Sequence, residues 1–293
     1  MAERKLDGEA EIKRNPHPDF KKVEASRPVF SSTSKVHFVQ TPKPDWTPGA
    51  GSNTSAADIP HREIDPYATD RPAVHNYKLL ISGIAPRPIG FVSTVDEKGE
   101  STNLAPFSYF NLVNHDPPLF VLGFSGGFDR PKDSLKNLVA TKECVLNIIS
   151  EDFIEAANYC SLNAPAGISE WGFAGLHPAK SSVVKPDRVK EAVFSIEAVL
   201  VETREWESKA VPRKKTGVMA VVEGVKFWVR EDALDETGLL IKPEVLRPVC
   251  RLGGIMYGRV TELFELPRPM FEEITKDEEV AKLAKPKVEG QLE

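Results

Sequence analysis

The chain has 293 residues, of which 41% are hydrophobic and 28% are charged, and its formal net charge is −5. These values are typical of a soluble globular protein with one large domain or two small ones. The acidic balance argues against a nucleic-acid partner, because such a partner usually requires a basic face on the protein. The longest apolar runs have only the length of strands, so we expect no membrane-spanning segment.

The three cysteines, Cys144, Cys160 and Cys250, lie far apart and form no CxxC pair. An odd number of cysteines without metal-like spacing is typical of a reducing compartment, where buried thiols act as small hydrophobic side chains. We therefore expect no metal site. The first residues lack the apolar core of a secretory signal and are too acidic for a typical transit peptide, which favours a cytoplasmic location.

Residues 1–63 are rich in proline and contain a small, polar stretch at Gly49–Ala57. Such a composition buries too little apolar surface to offset its ordering entropy, so we predict a largely irregular N-terminal extension. The extension is interpreted either as a flexible tail or as an arm that lies across a second subunit. Residues 64–268 form the predicted domain, and residues 269–293 form a charged C-terminal tail.

Within the predicted domain, strand pairs come first, helices follow, and long strands come last. In chain order, the pattern predicts a short helix or strand over Tyr77–Ile84, strands over Ile89–Val95, Ser101–Asn111 and Leu119–Phe124, a helix over Asp133–Glu143 with Asp133 as its N-cap, a strand over Cys144–Ile149, a helix over Glu151–Tyr159, and strands over Val193–Glu202, Val218–Val229 and Gly253–Leu266. Because no β-α-β alternation runs through the chain, an antiparallel barrel or sandwich with peripheral helices is favoured.

The predicted hairpin of Ile89–Val95 and Ser101–Asn111 carries more polar side chains than a core hairpin needs. These side chains belong to Ser93, Thr94, Asn103, Ser108 and Asn111. A hairpin of this composition is typical of one wall of a site for a polar ligand.

The loop Ser125–Ser134, of sequence SGGFDRPKDS, ends a predicted strand and opens a predicted helix. Its glycines permit close backbone approach, Arg130 and Lys132 supply positive charge, and Ser134 supplies a hydroxyl. With the free N–H groups of the helix N-terminus, these features favour phosphate binding, and an ordinary surface loop beside a helix cap is the alternative. The P-loop pattern and the GxGxxG fingerprint are absent, which argues against nucleotide hydrolysis and a Rossmann fold.

Several colinear motifs resemble one known family. The run PRPIGFVSTVDEKGESTNLAPFSYFN, followed by DPPLFVLGF, RPKDSLKN, SEWGFAGL and RLGGIMYGRV, is similar to the flavin reductase-like domain family of the FMN-binding split-barrel superfamily, over about residues 64–268. The resemblance implies a mainly β fold with peripheral helices, a six-stranded antiparallel Greek-key barrel. It also implies a homodimer that binds FMN, rather than FAD, near the subunit interface.

The resemblance implies that the hairpin lines the ring and ribityl chain of FMN, with both Ser93 and Thr94 on the ribityl chain or phosphate. The implied cofactor-binding residues are Arg87, Ser93, Thr94, Asn103, Leu104, Ala105, Pro106, Ser108, Tyr109, Arg130, Lys132 and Ser134. Because the flavin carries the chemistry, the protein needs no acid–base pair. His115 and Tyr257 are candidates for a catalytic role, and an exposed loop position and simple packing are their respective alternatives.

The function that the resemblance implies is that of an NAD(P)H-dependent flavin reductase, an NAD(P)H:FMN oxidoreductase that supplies reduced flavin or electrons to a partner oxygenase or another acceptor. One alternative is an FMN electron carrier, or a flavoprotein oxygenase acting on a small organic substrate. A non-catalytic FMN-binding or assembly protein is another. The sequence leaves open the choice between NADH and NADPH and the identity of the acceptor.

Overall fold

The computed structural model describes residues 16–32, 35–52, 59–165 and 167–284. The chain divides into two compact units, one from residues 1–33 and 65–260 and the other from residues 34–64 and 261–293. The expectations for residues 1–15, for most of the small polar stretch at 53–58, and for the end of the tail at 285–293 lie outside the described residues. The domain boundaries at residues 63 and 268 stay a prediction.

The strands are numbered in chain order. They are β1 (His37–Phe38), β2 (Gly90–Val95), β3 (Thr102–Phe107), β4 (Phe110–His115), β5 (Pro118–Ser125), β6 (Glu143–Ile148), β7 (Pro178–Ala179), β8 (Arg188–Val189), β9 (Phe194–Glu207), β10 (Lys215–Val229), β11 (Val249–Arg251), β12 (Tyr257–Arg259) and β13 (Glu262–Leu263).

The helices lie mostly between these strands. They are α1 (Phe20–Ala25), α2 (Ala73–Gly83), α3 (Asp133–Thr141), α4 (Ile154–Tyr159), α5 (Trp171–Ala174), α6 (Pro243–Leu246), α7 (Phe271–Ile274) and α8 (Glu278–Ala281), with short 3-10 turns at Glu151–Phe153 and Glu231–Ala233. The predicted helix over 151–159 therefore consists of a 3-10 turn followed by α4. No helix in the described ranges is both long enough and apolar enough to span a membrane.

The main sheet of the first unit has seven strands in the order β3-β2-β6-β9-β10-β5-β4, and all neighbours are antiparallel. Within the described residues, β3 and β4 form the two ends of the sheet, and no pairing between them closes the barrel. The mainly β, antiparallel architecture with peripheral helices is confirmed. The strand count is seven rather than the expected six.

The additional strand arises because the predicted strand Ser101–Asn111 is two strands, and this part of the prediction is wrong. The chain turns after Phe107, and β4 pairs with β5 instead of continuing the hairpin. Two glycines make room for the chain where it turns from β3 into β4. A Cβ at Gly123 would lie 2.8 Å from the Tyr109 Cβ, and a Cβ at Gly90 would lie 2.9 Å from the Phe110 ring. Since real Cβ contacts are longer, side chains at both positions would block the path of the chain.

The predicted long strand Gly253–Leu266 is also wrong. In the structure β11 and β12 form a short antiparallel hairpin, and Met256 N donates to Gly253 O within the turn that joins them. Gly254 in this turn has a φ of +61°, a conformation that glycine adopts without strain. The chain therefore reverses where the apolar pattern predicted continuous extension.

Strand β2 lies between two apolar cores. Val92 belongs to one core, with Leu122 and Leu138, and Phe91 belongs to the other, with Leu104. All six residues of β2 are buried. Because a buried polar group without a hydrogen bond is costly, the polar side chains of β2 require partners inside the protein.

The second unit is built around a parallel pair of two-residue strands, in which β1 lies beside β13 with His37 opposite Glu262. Trp46 Nε1 donates a hydrogen bond to Gly51 O in the same unit, and the Asp277 side chain caps α8. None of the described residues of this unit is buried.

Candidate functional site

Four buried polar side chains from β2, β3 and α3 form two neighbouring hydrogen-bonded pairs, which we name together the polar cluster: Thr94, Asn103, Ser134 and Asn137. Thr94 and Asn103 are opposite each other in the β2–β3 register and therefore share a face of the hairpin. Asn103 Nδ2 donates to Ser134 Oγ at 2.7 Å, and Asn137 Nδ2 donates to Thr94 Oγ1 at 3.3 Å. Each of the four residues is 7% exposed or less. Because both hydroxyls accept from amides, each keeps its own proton for donation to another group.

The N-terminus of α3 lies at the polar cluster, since Ser134 is the second residue of this helix. The predicted N-cap at Asp133 is wrong by one position. Asp133 is the first helical residue, because Lys132 is still extended with ψ near 151° and follows Pro131. The N–H groups in the first turn of a helix have no intrahelical partner, and here no side chain caps them. They present partial positive charge where the sequence predicted an anion.

Arg130 and Lys132 precede α3 with their side chains exposed. In the part of the chain that the structure describes, neither side chain forms an ion pair or a hydrogen bond. The phosphate loop, defined here as residues 125–131, reaches α3 through Gly126, which has a φ of +85°, and Gly127. Two unpaired cations beside an uncapped helix N-terminus can bind a dianionic group through charge-assisted hydrogen bonds.

Ser93 faces away from the polar cluster. Its hydroxyl donates to Asp187 O at 2.6 Å. On this side of β2 lies a cavity of about 130 Å³, which is lined by Ser93, Thr94, Thr102, Trp171, Pro178 and Asp187. The hydroxyls of Ser93 and Thr94 have different hydrogen-bond partners, Asp187 O and Asn137 Nδ2, although both residues line this cavity. Their expected action on one ligand group stays a prediction. Trp171, from the SEWGFAGL motif, is among these lining residues.

Glu170 lies beside the cavity and engages the backbone of β3. Its carboxylate accepts a hydrogen bond from Leu104 N at 3.1 Å, and the neighbouring Ser169 hydroxyl lies 2.9 Å from the Thr102 hydroxyl. Burial raises the pKa of Glu170, and the bond from Leu104 N opposes this effect in part. The N–H of Leu104, expected to face a flavin ring, is therefore occupied.

The remaining hairpin residues, Ala105, Pro106, Ser108 and Tyr109, follow one another along β3 and the turn after it. Pro106 has no N–H, which suits a strand at the end of a sheet. Tyr109 is half-exposed, and burial raises the pKa of its hydroxyl. These residues extend from the polar cluster towards the surface, as expected for a wall of a ligand site.

Arg87 forms hydrogen bonds to three backbone carbonyl groups, and these contacts were not predicted from the sequence. Its guanidinium donates to Ile81 O at 2.5 Å, to Ile84 O at 2.6 Å and to Leu252 O at 3.0 Å, and Nε donates to Ser108 Oγ at 3.4 Å. The side chain thus joins the end of α2 to the turn between β11 and β12. Only the contact with Ser108 links it to the predicted cofactor residues, so its role in binding stays a prediction.

The two candidates for a catalytic role are not hydrogen-bonded to the polar cluster. His115 is exposed at the end of β4, opposite Pro118. The hydroxyl of Tyr257 donates to Asn158 Oδ1 at 3.0 Å, and the Arg251 guanidinium lies 4.4 Å from the centre of its ring. Burial raises the pKa of Tyr257. A catalytic role for either residue stays a prediction.

Sequence reasoning missed Asn137 and Glu170. Asn137 had a detectable signal, because it lies three residues after Ser134 and beside Leu138 on the buried face of α3. Glu170 lies in the SEWGFAGL motif, but its contact was not predictable from local sequence, because its partner Leu104 is 66 residues away in the chain.

The family described as flavin reductase like domain matches residues 82–249, which is more than half of the chain. The chain therefore belongs to the flavin reductase like domain family, and the resemblance drawn from the sequence is confirmed.

The chain is also similar to individual known proteins. An uncharacterized protein of Aquifex aeolicus is 38% identical over 183 residues, which are 62% of this chain and 88% of that protein. The structure of nitrilotriacetate monooxygenase component B from Bacillus cereus is 31% identical, with a TM-score of 0.65, and covers 71% of this chain and 100% of that one. The structure of 2-nitrobenzoate 2-nitroreductase from Pseudomonas fluorescens is 28% identical, with a TM-score of 0.61. The match covers 72% of this chain and 98% of that one.

Proposed function

We propose that this flavin reductase-like protein is an FMN-dependent oxidoreductase that accepts hydride from NADH or NADPH. It would deliver reduced flavin or electrons to a partner oxygenase or another acceptor. The observation that carries the proposal is the polar cluster at the uncapped N-terminus of α3, with two unpaired cations beside it. The similarity to a protein named as component B of a monooxygenase supports an oxygenase as the partner.

The residues at the N-terminus of α3 suit the phosphate of FMN. The hydroxyl protons of Thr94 and Ser134 are free to donate, because amide groups already occupy their acceptor side. Arg130 and Lys132 supply the compensating charge, and the N–H groups of the first helical turn add further donors. A dianion is the ligand that this set of donors would hold best.

The hairpin suits the ring of the flavin. Ala105, Pro106, Ser108 and Tyr109 offer backbone groups and an apolar face in one row, while the N–H of Leu104 is committed to Glu170. When bound, FMN supplies the hydride chemistry, so the protein has to bind and orient the ring and exclude water from it. No side chain of the chain is assigned a proton-transfer role in this proposal.

We further propose that the protein is a cytoplasmic homodimer with the flavin near the subunit interface. Helix α2 buries only Ile81, although it is largely apolar. The exposed apolar side chains on and near this helix are those of Tyr77, Leu79, Leu80, Ile84, Tyr109 and Met256. An apolar surface of this kind is typical of a protein interface. The free thiols of the buried Cys144 and Cys160 support a reducing compartment.

The test of this function begins with equilibrium titration of the apo-protein with FMN, FAD and riboflavin, followed by flavin fluorescence. FMN should bind about 100-fold more tightly than riboflavin, since riboflavin lacks the phosphate that the cations would hold. A double variant, Arg130→Gln with Lys132→Gln, should lose most of this preference. Lys136→Gln, on the exposed side of α3, is the matched control and should keep it.

The second step is anaerobic addition of NADH or NADPH to the FMN-loaded protein, with the oxidised flavin absorbance as the readout. Loss of that absorbance with at least one nicotinamide is expected. Tight FMN binding without any loss of absorbance would contradict the reductase and leave a carrier or a non-catalytic protein. No uptake of FMN would contradict the flavoprotein itself.

A second candidate function is the direct conversion of a small organic substrate on the bound flavin. The similarity to 2-nitrobenzoate 2-nitroreductase favours it. The two functions differ in what consumes the NAD(P)H. A reductase reduces added free flavin in the absence of any organic substrate, whereas the second function requires a nitroaromatic acid or a similar compound for turnover.

A further inference from the structure

The phosphate loop is held on its outer side by the distal part of the β9–β10 hairpin. In residues 201–207 of β9, every residue except Glu205 is exposed, and the Glu205 side chain is only 22% exposed. Glu205 Oε1 accepts a hydrogen bond from Phe128 N at 2.8 Å. A carboxylate of a remote hairpin thus binds the main chain of the loop, two residues before Arg130.

Lys215 on β10 holds this carboxylate. Its ammonium lies 3.3 Å from Glu205 and 3.0 Å from Glu207, and these two partners raise the pKa of Lys215. The ammonium also compensates the negative charge of Glu205, which would otherwise repel an anion bound at the loop. The ammonium is shared with Glu207, so it compensates the charge of Glu205 in part.

The loop backbone lies directly against these two side chains. A Cβ at Gly127 would lie 2.4 Å from the Lys215 Cβ and 2.8 Å from Glu205 Oε1, and Gly126 N donates to Thr216 O at 3.2 Å. Only a residue without a side chain permits so close an approach. A side chain at position 127 would therefore separate the phosphate loop from the β9–β10 hairpin.

From this geometry we propose that Glu205 is a positioning residue for the cofactor phosphate. It fixes the amide of Phe128, and with it the backbone that carries Arg130 and Lys132, before any ligand arrives. A loop ordered in advance loses less conformational entropy when it binds an anion. The inference rests on the proposed function, because it assumes that the phosphate of FMN binds at this loop.

The test compares Glu205→Ala with Glu207→Ala in the full chain. Both variants remove an ion pair with Lys215, but only the first removes the bond to Phe128 N. Glu205→Ala should weaken FMN binding about tenfold, the order expected for loss of one hydrogen bond to a charged group. Riboflavin binding should stay unchanged, and Glu207→Ala should change neither affinity by more than about twofold.

The variant Glu205→Gln is the conservative rescue, because its amide oxygen can still accept from Phe128 N. It should restore FMN affinity to within about threefold of the wild type. Equal weakening of FMN and riboflavin in Glu205→Ala would indicate a general structural role and overturn the proposal. A ratio of FMN affinity to riboflavin affinity that is the same in Glu205→Ala as in the wild type would also overturn the proposal. If the wild-type protein itself does not prefer FMN to riboflavin, the phosphate site fails, and this inference fails with it.

Discussion

Replacement of Glu197 by glutamine is expected to destabilise the first unit strongly. Glu197 lies on β9 with no exposed surface. Its carboxylate accepts hydrogen bonds from Ser182 N at 2.8 Å, Val183 N at 2.7 Å, Val184 N at 3.1 Å and Trp228 Nε1 at 2.6 Å. This one side chain therefore holds the segment that leads to the cavity beside Ser93.

The magnitude follows from the donors. Oε1 accepts from Ser182 and Trp228, and Oε2 accepts from Val183 and Val184, so each oxygen serves two N–H groups. A glutamine has one oxygen and one NH₂ group, and in either orientation the NH₂ group faces two N–H donors. Of the four donors only Val184 N is fully buried. An unsatisfied buried donor costs about 1–3 kcal/mol, so we expect a loss of about 2 kcal/mol.

The loss should depend on pH in a defined direction. Burial raises the pKa of Glu197, but the N–H donors outweigh burial and hold the pKa below its ordinary value of 4.5. The ionised group therefore contributes its stability fully above the unfolded-state pKa, and this contribution declines as the pH falls through the lower folded-state pKa. The difference between wild type and Glu197→Gln should shrink below about pH 4.5.

Urea unfolding followed by tryptophan fluorescence measures both effects. Glu202→Gln on the same strand is the matched control, because Glu202 is exposed and should change stability by less than about 0.5 kcal/mol. A loss below about 1 kcal/mol for Glu197→Gln at pH 7 would refute the reasoning from the donors. A difference that grows on acidification would refute the assigned direction of the pKa.

Two further predictions concern the thiols and the second buried carboxylate. Burial raises the pKa of Cys144 to about 12, and burial with the Glu170 carboxylate raises that of Cys160 to about 12. Iodoacetamide at pH 8 should thus modify, of the three thiols, the partly exposed Cys250 alone. If peptide mass spectrometry finds that Cys144 is modified as fast as Cys250, the prediction is contradicted. Glu170→Gln, whose amide oxygen can still accept from Leu104 N, should be slightly more stable than wild type at pH 7 because it removes a buried charge. Since the folded-state pKa of Glu170 is raised, wild type should recover this difference as the pH falls through that pKa towards 4.5. If urea titrations give the same difference in free energy of unfolding between wild type and Glu170→Gln at pH 7 and near pH 4.5, the raised pKa of Glu170 is contradicted.

The polar cluster shows how far local reasoning extends. The sequence predicted that the polar hairpin and the loop before α3 belong to one site, and the bond from Asn103 to Ser134 shows that the hairpin and the start of α3 are in contact. The helix start was misplaced by one residue, because the extended conformation of Lys132 is not encoded by a capping side chain. The assignment of the Ser93 and Thr94 hydroxyls to one ligand group stays a prediction, since the two hydroxyls have different partners but both residues line one cavity.

By itself, the sequence determined the family, the mainly β class, the polar hairpin of β2 and β3 and the position of α3. These features are encoded by motifs and periodicities within short stretches of chain, where neighbouring residues carry the signal. Only the tertiary structure decided that Arg87 joins α2 to Leu252, 165 residues away, and that Glu205 holds the phosphate loop 77 residues away. Such contacts depend on which distant segments cross in the folded chain, and the choice is made by packing over the whole sheet.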